Sequence, residues 1–280
     1  MPARAVSAAL RGLLPTADAA EAEHAAAFRA TAELLLGGCT LRIAGERYRL
    51  TELEFYWTSA RHPDPFTHGD PLQREFGRWY FHRQGGTYKG GTYKGLDIAV
   101  GAPERAAGIL LRGVAAPCGE RIDGSCAVVE RILERTGAAS VAALADSFDR
   151  AIDRPAGEGR SPLALELDAE GTAAPRVIYA SPRVGLTLKR GADALRRRYL
   201  ARPYRLLVEP ETLTKGRLHV ALGLYAEGVT APEIAARTGV RRAHVDRYIA
   251  AFERGRGRDP AAYQRSLTTA ELCELFGALA

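Results

Sequence analysis

The segment from Thr51 to His68, TELEFYWTSARHPDPFTH, constrains the fold more than any other part of the chain. If residues 50–57 are extended, alternation puts Leu53, Phe55 and Trp57 on one face and Glu52, Glu54 and Tyr56 on the other. The first set is a core face. The second puts a carboxylate beside an aromatic ring, which suits chemistry on a flat substrate better than it suits packing. Pro63, Pro65 and Pro71 then block regular structure over 58–76, a loop that delivers His68.

Around this strand the pattern predicts a mixed fold. Residues 17–36 are alanine-rich and periodic, a helix closed by Gly37-Gly38. Strands follow at 39–44 and 47–57, joined by Ala44-Gly45-Glu46 as a hairpin turn. Further strands are expected at 78–83, 92–101 and 108–114, and near 175–188 and 203–209. The run 125–153 reads as helix in two pieces broken near Gly137, and the Gly/Pro stretch 154–161 as a linker. Composition shifts near residue 211, and from Lys215 the pattern is helical. Thr230 with Glu233 makes a capping box, Gly239 ends a short helix, and the next begins at Arg241 and Arg242. That spacing resembles a helix-turn-helix with residues 240–254 in the recognition position. Tri-helical units of this kind also serve as structural caps. The expected class is therefore α+β: a curved, mostly antiparallel sheet with flanking helices in residues 1–210, and a three-helix unit in 211–280.

Size and charge narrow the function. A chain of 280 residues with 46% hydrophobic and 26% charged residues can bury a sizeable core. Its net charge of +6 points toward a polyanion partner. The cysteines Cys39, Cys118, Cys126 and Cys273 show no CxxC pair, so free thiols in a reducing cytoplasm are expected, with no metal site. The opening MPARAVSAALRGLL lacks the apolar run of a secretory signal, and no stretch of about eighteen apolar residues occurs to span a membrane.

Two segments carry the cationic and aromatic side chains that meet nucleic acid. Residues 85–94 repeat GGTYK twice, placing Tyr88 beside Lys89 and Tyr93 beside Lys94. The odd five-residue offset would turn the tyrosines to opposite sides of an extended ribbon, one packing and one projecting. A glycine hairpin with incidental tyrosines is the plainer reading. Between Arg176 and Arg205 the chain carries Arg183, Lys189, Arg190, Arg196, Arg197, Arg198 and Arg202 against Asp193 alone. This density is expected to form a phosphate-contacting surface, although charge runs are often just solvated faces.

Taken in order, these pieces resemble the alkyladenine (3-methyladenine) DNA glycosylases. The family strand V-E-T-E-A-Y is similar to TELEFY at 51–56, and its Asp-x-x-x-His element to Asp64-Pro65-Phe66-Thr67-His68, with a loop three residues longer. Its Gly-Thr-x-Tyr-x-Tyr strand aligns with Gly77-Arg78-Trp79-Tyr80-Phe81-His82, and its buried arginine strand with Ile109-Leu110-Leu111-Arg112. Pro-Arg-Ile-Gly and Pro-Trp-Arg-Phe correspond to Pro182-Arg183-Val184-Gly185 and Pro203-Tyr204-Arg205-Leu206. The similarity covers about residues 25–210. It implies that Glu54 is a general base, that Arg112 positions the attacking water, and that Tyr56 and His68 line a pocket for a flipped-out base. It departs from the family at His82, which replaces a stacking tyrosine, and at Asp97, which replaces a base-discriminating asparagine. A carboxylate at Asp97 would favour amino-group donors or a cationic base. The family's intercalating tyrosine has no clean counterpart, and Tyr88 is the candidate wedge.

The expected function is hydrolysis of the N-glycosidic bond of a damaged or modified purine in duplex DNA by a cytoplasmic monomer that needs no cofactor. One alternative moves the chemistry to RNA, a nucleoside or an unusual modified base. The other is a non-catalytic DNA-binding protein whose helices 217–254, with Arg241 and Arg242, read DNA.

Overall fold

Helices α1 (Val6–Leu13) and α2 (Glu21–Gly38) lead into a hairpin of β1 (Cys39–Ile43) and β2 (Glu46–Thr58). The computed structural model describes residues 5–16, 18–153, 161–168 and 176–280. The expected linker at 154–161 lies, apart from Ser161, outside them. Gly37 and Gly38 do not end α2 as expected; they form its last residues, and Cys39 turns straight into the strand. The hairpin turn is made by Ala44 and Gly45, both at positive φ (48° and 88°), the geometry whose twist matches that of paired strands.

Two compact units share the chain: Met1–Pro63 with Thr67–Ile178, and Asp64–Phe66 with Tyr179–Ala280. The composition shift expected at 210/211 falls inside the second. In the first unit, β3 (Phe76–Phe81), a hairpin of β4 (Arg83–Gln84) and β5 (Thr87–Tyr88), β6 (Leu96–Val100), β7 (Ala106–Ala115) and β8 (Arg121–Asp123) follow β2. Then come α3 (Ser125–Thr136), α4 (Val141–Asp146) and β9 (Leu163–Leu167). Antiparallel ladders run β9–β1–β2–β7–β6–β3, with β8 on the far half of β7. The expected break near Gly137 is the left-handed cap of α3, at φ 69°.

The alternation of β2 decides which face is core. Phe55 stacks on Phe28 of α2 at 4.7 Å, and Trp57 meets Phe28 and His24. His24 in turn stacks on His62 at 4.3 Å, so His62 is an interior residue. On the opposite face, Tyr48 reaches Arg135 of α3 at 3.3 Å. Thus α2 covers the odd-numbered side chains, while Glu52, Glu54 and Tyr56 belong to the other side. None of the four cysteines is in a disulfide; Cys39 and Cys273 are buried, and burial pushes both thiols up to about 12.

The second unit contains β10 (Tyr179–Ser181) paired antiparallel with β11 (Arg205–Leu207), and between them α5 (Ala194–Leu200). It continues with α6 (Arg217–Ala226), α7 (Ala231–Thr238), α8 (Arg242–Gly255) and α9 (Thr269–Ala278). The strands expected over 175–188 and 203–209 shrink to three residues each, because Pro182 and Pro203 cannot extend the ladder. Glu233 accepts from the Thr230 N–H at 3.1 Å and its hydroxyl at 2.7 Å, which caps α7 as the spacing predicts. Among the described residues no helix is long and apolar enough to cross a membrane.

Candidate active site

Register brings the site together. Glu54 pairs with Leu110, Leu110 with Asp97, and Asp97 with Tyr80, so one lateral row crosses β2, β7, β6 and β3. Side chains in such a row share a face. The next row holds Tyr56, Gly108 and Ala99. Two carboxylates, Glu54 and Asp97, therefore face the same way two strands apart, roughly 10 Å at the usual strand spacing, with Leu110 between them.

Glu54 is 0% exposed. One oxygen accepts from the Tyr56 hydroxyl at 2.8 Å and the other lies 3.3 Å from Arg112 Nε. Arg112 Nε also donates to Glu52 at 2.7 Å, so one guanidinium serves two buried carboxylates. Burial works against the Arg112 charge, yet Glu54 and Glu52 together raise its pKa, and it stays protonated. The local ladder bends to allow this. Register slips on either side of Glu52, opposite Gly113, where a Cβ would come within 2.9 Å of the Glu52 Cβ.

Across the row lies a cleft of about 50 Å³ lined by Tyr56, His68, Gln73, His82 and Asp97. All four pocket residues expected from the sequence meet there. Asp97 is interior; its Oδ1 takes His82 Nε2 at 2.7 Å and its Oδ2 takes the Gln73 amide at 3.1 Å. Both oxygens thus hold a neighbour, and Asp97 orients His82 and Gln73 while itself lining the cleft. Gly108 and Gly95 make room for the pair. A Cβ on Gly108 would come 2.3 Å from Asp97 Oδ2, and one on Gly95 would come 2.4 Å from His82 Nδ1.

Gln73 was not among the expected residues. It arrives on a 3₁₀ turn, Pro71–Arg74, started by Asp70, whose carboxylate caps the Leu72 N–H at 2.9 Å and pairs with Arg83 at 2.7 Å. Asp-Pro is a legible start for such a turn. Which polar side chain then points inward is a tertiary matter. The Gln73 carbonyl accepts from the Gly69 N–H at 3.0 Å, which fixes its amide toward Asp97.

His68 remains exposed as a residue, but its ring packs edge-on to His82 at 4.4 Å and near Tyr80. Desolvation of the ring, then the neighbouring His82, lowers its pKa to about 4, and Lys89 adds to the effect. A neutral imidazole is consistent with Lys89 Nζ lying 3.2 Å from His68 Nε2, where the ammonium donates.

One tyrosine of the GGTYK repeat packs and one projects, but not along an extended ribbon, because Gly91–Tyr93 forms a 3₁₀ turn. Gly85 and Gly86 turn the β4–β5 hairpin, and Tyr88 is half-buried, edge-on to Phe81 at 6.5 Å. Tyr93 projects at 76% exposure, so the projecting ring is Tyr93 and not Tyr88. Lys94 pairs with Glu130 at 3.2 Å. In the basic segment the structure corrects one expectation. Arg183 is an interior residue, 1% exposed, paired with Asp64 at 2.6 Å and donating to the Tyr199 carbonyl at 3.1 Å. It supports the second unit and offers nothing to a phosphate. Arg205 is likewise buried, bonded to the Gly216 carbonyl at 2.9 Å. Lys189, Arg190, Arg241 and Arg242 are exposed.

No family model matches the chain. An uncharacterized protein of Acanthamoeba polyphaga mimivirus is 37% identical to it over 123 residues, covering 39% of this chain. The chain spans 57% of the length of that relative.

Proposed function

We propose that this protein hydrolyses the N-glycosidic bond of a damaged or modified purine in DNA. The carrying observation is that Glu54, withdrawn from solvent and held by Arg112 and Tyr56, adjoins through Tyr56 a cleft lined by flat and polar side chains. As the base departs with the bonding electron pair, the sugar becomes oxocarbenium-like. A fixed carboxylate stabilises that charge and takes a proton from the water that adds to C1′. Arg112 keeps Glu54 oriented, and Glu52 shares the load on the guanidinium. Tyr56, His68 and His82 supply rings against which a base can stack.

A cleft of about 50 Å³ has room for a few waters, each needing about 10–15 Å³. A purine enters only if the walls part, and His68 is the exposed residue among those that line the cleft. Base release should be detected from a panel of alkylated, deaminated and etheno-modified oligonucleotides. Glu54→Gln, which keeps the shape, should slow it by about 10² to 10⁴, the range of general-base catalysis. No release from any member of the panel would overturn the reading. Free nucleoside, single-stranded DNA, RNA and duplex assayed side by side identify the physiological form of the substrate.

A further inference from the structure

Gly239, Val240 and Arg241 join α7 to α8. Gly239 takes the left-handed conformation, φ 65°, and its N–H closes α7 on the Ala235 carbonyl at 3.0 Å. A Cβ there would come 3.2 Å from the Glu211 carbonyl, so glycine suits both the turn and the space. Val240 tucks into a cluster with Ile234, Val245, Val220 and Leu224, which locks the rotation of α8. With Val245 and Phe252 turned inward, the outward row is Ala243, Arg247 and Ala250, spaced i, i+4, i+7 and all exposed. Arg241, Arg242 and His244 are exposed at the N-terminal end of the same helix.

Charge and shape on this face go together. Among the described residues no carboxylate lies within ion-pair distance of Arg241 or Arg247. Arg242 pairs with Asp246 at 2.7 Å across an exposed surface, a bond cheaply exchanged. The alanines on either side of Arg247 keep the row shallow. A helix about 10–12 Å across fits the major groove of B-DNA, about 12 Å wide, and small side chains let it approach the floor. Arginine there can fork onto guanine, and alanine can touch the thymine methyl. Beyond Ala250 the surface changes, for Glu253 binds Arg256 and Tyr225. The usable face is thus the first turns of α8, the part that a helix-turn-helix presents to bases.

We propose that α8 is a recognition helix for duplex DNA, with Arg247 between Ala243 and Ala250 at the base edges and Arg241 and Arg242 on flanking phosphates. This goes beyond the hydrolytic reading and does not depend on it. It gives the protein a preference for sequence as well as for a base.

Undamaged duplexes selected by the full chain from a randomised pool should share a short motif containing guanine. In anisotropy titrations Arg247→Ala should weaken the motif duplex about 10- to 100-fold relative to a scrambled one. Arg241→Ala and Arg242→Ala should weaken both duplexes alike and flatten the plot of log affinity against log salt by about 0.9 per charge removed. Ala243→Glu, at an exposed position, should abolish motif binding with the helical dichroism signal unchanged. Selection that returns no motif, or motif binding unaltered in folded Arg247→Ala and Ala243→Glu, would overturn the proposal. Because the ligand is undamaged duplex, the result stands apart from base release.

Discussion

At the scale of the residue, buried charge is held by partners in fixed positions. Arg112 holds the buried carboxylates of Glu52 and Glu54, and a charge so placed is tolerated only with partners in fixed geometry. His68 shows the reverse arrangement, an exposed residue with a crowded ring. Its pKa falls from the ordinary 6.5 to about 4, so folding favours the neutral ring. Between those values the unfolded chain binds the extra proton, and stability declines as pH drops through that window. An NMR titration of the His68 ring should give a midpoint near 4, and Lys89→Ala should raise it, since Lys89 is among the groups that lower it. A midpoint near 6.5 in the unaltered protein would contradict the packing described. Neither Gln73 nor the burial of Arg183 was legible at this scale. Sequence density tells how many arginines a segment has, and only tertiary packing tells which one meets Asp64 in the interior.

At the scale of the element, β2 was legible because its period-2 pattern of large apolar and polar residues leaves one sensible assignment of faces. The site face, the α2 contact and the row with β7 all follow from it. The short elements were not. Helix α1 has only Val6 and Leu10 as buried anchors, and β8 and β9 owe their form to the strands beside them. The glycines of the sheet carry information of another kind, since Gly108 marks where the Asp97 carboxylate needs the space of a missing Cβ. Gly108→Ala should therefore destabilise by about 1–3 kcal/mol in urea unfolding, the usual range for an overpacked interior. It should also displace Asp97 from His82, visible as changed NMR chemical shifts of the His82 ring. An alanine variant as stable as the parent would show that the strands can spread without cost.

At the scale of the whole molecule, the chain is an α+β protein whose second unit is discontinuous in sequence. Asp64–Phe66 leaves the loop after β2 to join residues from Tyr179 onward, and Asp64 supplies the partner of Arg183 while Phe66 packs into the helical core there. The helical unit foreseen from residue 211 is thus part of a larger body that also includes β10, β11 and α5. This has a consequence for anyone dissecting the gene. A C-terminal fragment beginning at Tyr179 would be cut along a seam that the fold does not respect. It would leave the interior Arg183 guanidinium without the Asp64 carboxylate, at a cost of about 3–5 kcal/mol. Arg183→Met in that fragment should recover much of the loss in urea unfolding, and a fragment equally stable with either residue would refute the argument. Three residues borrowed from early in the chain decide whether its last hundred can be inherited, shuffled or expressed as a module.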